Sequence, residues 1–248
     1  MTLMLSSNGA FLHYSIEEIE QLQNSKPVPV EYLVPELFQV SDEDKIIRWV
    51  RQLNETNVEL IAGLAADVIT VELVESFVKA GFERIVFDFK FAKPFCHCCL
   101  SLYRKLQMRE LYAELMKCCQ NYFTNRQQWT PLERILMSKR KTNQSDVPKM
   151  EKKTKMTKRR SFATIYLASS LLEIKFMTPT IFIFILRECI KSNVADDLEL
   201  ATLLLTNSAK DILKFQNSDK AKFMDLVPRL EQLSELNLLS PNVVEILK

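Results

Sequence analysis

The densest cluster of reactive side chains is "FCHCCL" at 95–100, which places Cys96, His97, Cys98 and Cys99 together, with Cys118 and Cys119 a helix's length further on. Thiolate and imidazole are zinc ligands, and zinc takes four of them as a tetrahedron. Successive residues of a helix point about 100° apart, so at most Cys96 and Cys99 share a face, and no second C-x-x-C pair completes a ligand set. Reduced cysteines packing as small hydrophobes account for the cluster more simply, with zinc binding by a helical protein as the alternative. No G-x-S-x-G turn, P-loop or H-E-x-x-H accompanies the 2 histidines. The expectation is a chain that is not an enzyme and holds no metal or cofactor.

Two further constellations could bind rather than react. Between 139 and 160 the chain carries Lys139, Arg140, Lys141, Lys149, Lys152, Lys153, Lys155, Lys158, Arg159 and Arg160. Lys152, Lys153, Lys155 and Lys158 could engage RNA phosphates with little sequence preference, and the scarcity of interleaved aromatics argues against base stacking. A solvated linker has the same composition. The second constellation is "HYSIEEIEQLQ" from His13 to Gln23. There Ser15 can cap a helix, Glu18 completes the capping box, and Tyr14 faces Ile19 as a hydrophobic staple. Ile16, Ile19 and Leu22 form an apolar stripe, and so short a helix needs a partner, either another protein or this chain's own core.

The elements that must position these residues are helical. Glycine occurs 3 times in 248 residues, too rarely for hairpins and phosphate loops, while apolar residues make up 47%. Basic and acidic side chains nearly balance at 33 to 31, so no global field points to nucleic acid. Six cysteines without a leader suggest a reduced, cytoplasmic setting. The start "MTLMLSSNGAFLHY" lacks a cationic region and a long apolar run, and "TIFIFIL" (180–186) is far shorter than the ~20 residues of a membrane span. No membrane partner is expected.

Helical periodicity begins at Ser41, with Ile46, Ile47, Val50 and Leu53 on one face. Thr56 with Glu59 reads as a capping box, and Thr178-Pro179 and Ser240-Pro241 place a hydroxyl before a proline that opens a helix. Further helices are expected near 70–80, 82–92, 95–106, 109–124, 130–138, 160–176, 180–191, 195–213 and 219–236. Pairs of them recur about every 40 residues, the spacing of HEAT-type units, although a compact bundle could use the same helices. The expected fold is all-α, an α-solenoid of about five HEAT-type helical hairpins with an extended N-terminal segment. Residues 1–40 form that segment with its short partner-binding helix, and Pro27, Pro29 and Pro35 favour extended backbone there. Residues 41–248 form the solenoid, with 139–158 expected as a flexible basic loop.

From 41 onward the helices resemble the middle domain of translation initiation factor 4G, a HEAT-type solenoid. The stretch "KRRSFATIYLASSLLEIKFMTP" (158–179) is similar to that family's Arg-Arg, an apolar residue, small residues, then a helix ending in Leu-Lys-Met-Leu-Thr. "DLELATLLLTNSAKDI" (197–212) is similar to its Leu-Glu…Leu-Leu-Thr-Thr-Ile-Gly-Lys-Asp-Leu, and "VRQLNETNVELI" (50–61) and "IVFDFKFAKPFCHCCLSLY" (85–103) follow its order more loosely. The family's Gly-Asn after the apolar residue is Ala163-Thr164 here, and its final-helix aromatic aligns with Glu245.

The resemblance implies a scaffold that binds the DEAD-box RNA helicase initiation factor 4A, with Phe162, Arg159 and Arg160 at that surface and mRNA nearby. It also implies that Tyr14, Ile16, Ile19 and Leu22 are a site for the cap-binding initiation factor 4E, which the family recognises through Tyr-x4-Leu-hydrophobic. Ile19 stands for the Leu here, and Glu20 stands where the family has a hydrophobic residue, so Leu22 would supply that contact. A same-fold adaptor in mRNA decay, export or translational repression, and a HEAT interaction protein outside translation, are the rival readings.

Overall fold

A computed structural model of the protein describes residues 4–5, 11–12, 40–125, 147–191 and 194–235. The chain forms two compact units, Met1–Ser41 and Asp42–Lys248. In the first, Met4–Leu5 (β1) and Phe11–Leu12 (β2) make a two-residue antiparallel ladder, Met4 opposite Leu12 and Leu5 opposite Phe11. The helix expected over 13–23, the one expected over 130–138 and the Ser240-Pro241 cap lie outside the described residues.

The second unit opens with α1 (Asp42–Gln52), whose acidic first turn and Arg51 in the last turn complement the helix dipole. Next come α2 (Val58–Ala66), α3 (Val71–Phe87), a single 3₁₀ turn (Phe89–Phe91), α4 (Ala92–Leu106) and α5 (Arg109–Thr124). The described residues continue with α6 (Val147–Glu173), α7 (Pro179–Lys191), α8 (Ala195–Ile212), α9 (Asn217–Met224) and α10 (Val227–Glu235).

Helices two apart in the chain pack side by side. In one layer α1 lies on α3 and α3 on α5; in the other α2 lies on α4, α4 on α6 and α6 on α8. That pattern is an α-solenoid of stacked helical hairpins. Polar bridges between neighbouring repeats span 33 to 42 residues, from Ser76 Oγ to Glu43 Oε1 at 2.6 Å to Ser101 Oγ to Glu59 Oε2 at 2.8 Å. Bridges from α3 and α4 to α6 span 71 to 80 residues, because the segment after α5 intervenes. The core runs between the layers through Phe77, Phe82, Phe95 and Phe182, each fully buried, and Phe82 stacks on Tyr122 at 4.1 Å.

Four expectations are corrected. No break occurs at Gly81, and α3 passes through it. A Cβ there would meet the Phe95 ring at 2.1 Å, so the glycine serves the approach of α3 and α4 rather than a helix end. Residues 147–158, expected within a flexible loop, are the first turns of α6. Lys, Met and Glu dominate them, all good helix formers, and Pro148 falls in the first turn where a missing N–H is harmless. The expected helix over 219–236 is two, α9 and α10, since Pro228 cannot donate to the Met224 carbonyl as an unbroken helix requires. The capping box at Thr56 does not form either. Asn57 is the N-cap, its Oδ1 accepts from Asn54 N–H at 2.7 Å, and Glu59 is taken up by Ser101.

Candidate protein-interaction site

Helix α3 ends at Phe87 with carbonyls that have no partner within the helix. Arg159, on α6, supplies the donors: its Nε reaches the Val86 carbonyl and its Nη2 the Phe87 carbonyl at 2.7 Å. A guanidinium there also opposes the negative end of the helix dipole. Arg160 Nη2 donates to Glu83 Oε1 at 2.9 Å, and its guanidinium carbon lies 5.8 Å from the Tyr122 ring centre. Lys158 Nζ donates to Glu199 Oε2 at 2.8 Å and to Asp196 Oδ1 at 3.0 Å, both on α8. Partial burial disfavours the Lys158 ammonium, but its bonds to Glu199 and Asp196 outweigh that and hold its pKa above the usual lysine value.

Three consecutive cations therefore tie α6 to α3 on one side and α8 on the other. Phe162, the next residue of the expected helicase surface, is half-buried at the same place. The Phe89 ring meets it edge-on at 6.3 Å and stacks on Tyr166 at 4.9 Å, with planes 7° apart. Lys158 Nζ sits 5.5 Å from the Phe162 ring centre, and Arg159 is 5.5 Å from that of Phe89. Phe89 and Tyr166 were not singled out from sequence. The signal was present for Tyr166, one turn beyond Phe162 on the same helix face, whereas Phe89 arrives from the 3₁₀ turn across the fold.

Of the expected RNA-contacting residues, Lys155 is exposed on α6, Lys158 is held by its carboxylates, and Lys152 and Lys153 stand on the opening turns of the same helix. Tyr14, Ile16, Ile19 and Leu22 lie outside the described residues.

All six cysteines are free and buried. His97 faces solvent while Cys96, Cys98 and Cys99 turn inward, because α4 is covered on one side by α2 and on the other by α6. Among the described residues no group of three His, Cys, Asp or Glu side chains is placed to hold a metal ion. Burial pushes the Cys98 and Cys118 thiols up to about 12, and raises Cys96, Cys99 and Cys119 well above the ordinary value. Such groups are inert packing, since the thiolate is the reactive species. Among the described residues no helix is long and apolar enough to cross a membrane.

No protein-family model matches the sequence, and no curated protein matches it. In three dimensions the chain is similar to the crystal structure of the MIF4G domain of translation initiation factor EIF4G5 from Trypanosoma cruzi. The TM-score is 0.53 at 12% sequence identity, over 83% of this chain and 92% of that one. At that identity the likeness is one of fold, and it agrees with the helical solenoid built above.

Proposed function

We propose that the chain is a cytoplasmic scaffold of translation initiation, without catalytic activity of its own. In this reading its N-terminal element, Tyr14, Ile16, Ile19 and Leu22, takes the cap-binding initiation factor 4E, and its solenoid takes the DEAD-box helicase initiation factor 4A. The observation that carries the reading is the likeness of the helical stack to the MIF4G domain of an initiation factor. It is joined by the order of motifs from 50 to 212. Two partners on one chain raise each other's effective concentration near the mRNA cap.

The helicase contact is proposed at Phe162 and its aromatic neighbours. Arg159 and Arg160 contribute by fixing α6 against α3, Arg159 through the Val86 and Phe87 carbonyls and Arg160 through Glu83. Contact with mRNA phosphates is proposed through Lys152, Lys153 and Lys155, because Lys158 is committed to Asp196 and Glu199.

The test is co-purification of the full chain with the two factors from the same organism. Tyr14→Ala combined with Ile19→Ala is expected to abolish capture of the cap-binding factor and leave the helicase bound; Phe162→Ala is expected to do the reverse. Capture of the cap-binding factor undiminished by the double variant would remove the first half of the proposal. A helicase whose ATPase rate ignores the wild-type chain would remove the second, and would favour an adaptor outside initiation.

A further inference from the structure

Between α1 and α3 the surface carries a groove of about 520 Å³ that the translation reading does not use. Its apolar lining is Ile47 from α1, Ala80 from α3, and Phe87, which is 66% exposed. An aromatic ring so exposed beside apolar neighbours has surface to gain from a partner.

The charges along the groove are unequal in what they have left to offer. Both carboxylates are occupied, Glu43 by the Ser76 hydroxyl at 2.6 Å and Glu83 by Arg160 at 2.9 Å. Arg84 is also occupied, with Nη1 on the Val50 carbonyl and its guanidinium 3.9 Å from the Phe91 ring centre. Arg51 and Lys79 remain exposed, and neither has an ion-pair partner among the described residues.

The geometry points to a docking site for an acidic peptide segment with apolar anchors: an aromatic or leucine side chain against Ile47, Ala80 and Phe87, flanked by Glu or Asp opposite Arg51 and Lys79. A groove of this size suits a few side chains of an extended or helical segment rather than a folded face. A nucleic acid fits less well, because its sugar-phosphate chain brings no aliphatic anchor for Ile47 and Ala80. The inference does not rest on the translation reading.

The probe is a fluorescein-labelled peptide of Glu residues with two Leu and one Phe at helical spacing, titrated with the full chain and read by anisotropy. Controls are its Ala-for-Leu/Phe twin, its Lys-for-Glu twin and a labelled oligouridylate. The acidic apolar peptide is expected to bind, more weakly as salt is raised. Arg51→Glu with Lys79→Glu should weaken it by about tenfold or more, the scale of two reversed surface charges. Phe87→Ala should weaken it at unchanged salt dependence, and the Lys twin should bind the charge-reversed variant better than the wild type. These side chains are exposed, so an unchanged melting curve confirms that the fold is intact. No binding of the peptide, equal binding of the Ala twin, or binding that ignores the variants would overturn the proposal, as would oligouridylate binding in place of the peptide.

Discussion

Five of the six thiols, Cys96, Cys98, Cys99, Cys118 and Cys119, lie on two adjoining stretches of the core, where burial disfavours thiolate at each. Iodoacetamide at a pH of about 8 is therefore expected to leave the folded chain unlabelled and to label all six cysteines in urea, read by intact mass. The linkage has a definite sign. A thiol whose pKa is raised by folding contributes stability that is complete below the ordinary value of 9.0 and is lost as pH climbs through about 12. The urea midpoint should accordingly fall with rising pH across that window; a flat profile would show that these thiols titrate as if exposed. At 158–162 the adjacency of the residues on one helix was legible, and their contacts were not. The motif sets Arg159, Arg160 and Phe162 side by side, but the arginines' partners Val86, Phe87 and Glu83 are 72 to 77 residues away and no local pattern connects them.

At the level of elements, the end of α6 shows how the backbone is stopped. Phe176 N–H reaches the Leu171 carbonyl at 2.8 Å and Lys175 N–H that of Leu172 at 2.9 Å, the paired bonds of a Schellman motif. The motif requires a left-handed residue, and here it is Lys175 at φ 58° rather than glycine. Lys175→Gly should relieve that strain and stabilise the fold by about 0.5–1 kcal/mol after the entropy gained by the unfolded chain is counted, raising Tm by roughly 1–4 °C. Lys175→Ala keeps the strain and should leave Tm nearly unchanged, and equal effects of the two would refute this account. Helices with a strong apolar stripe, such as α1, α5 and α8, were readable to within a residue or two. The gap expected between 80 and 82 does not occur, because Gly81 there contributes only its lack of a side chain, which admits the Phe95 ring. The capping box at Thr56 misled because Asn54 and Asn57 can organise the same turn.

For the whole molecule, the repeat of about 40 residues was legible because each helical hairpin must bury its inner face on the next. Which later helix packs on α3, α4 and α5 was not, because nothing local in the sequence says so. It is helix α6, which packs on α3, α4 and α5 behind it and on α7 and α8 ahead. The consequence is one of connectivity: the seam at α6 packs on both halves of the solenoid, and it is expected to hold them without the peptide link between α5 and α6. A pair of polypeptides divided between residues 126 and 146 should reassemble when co-expressed, an affinity tag on one retaining the other through gel filtration. Separation of the two would mean that the covalent tether holds the halves together. If they stay associated, the protein is divisible, and reporter fragments attached at the cut would turn its assembly into a signal.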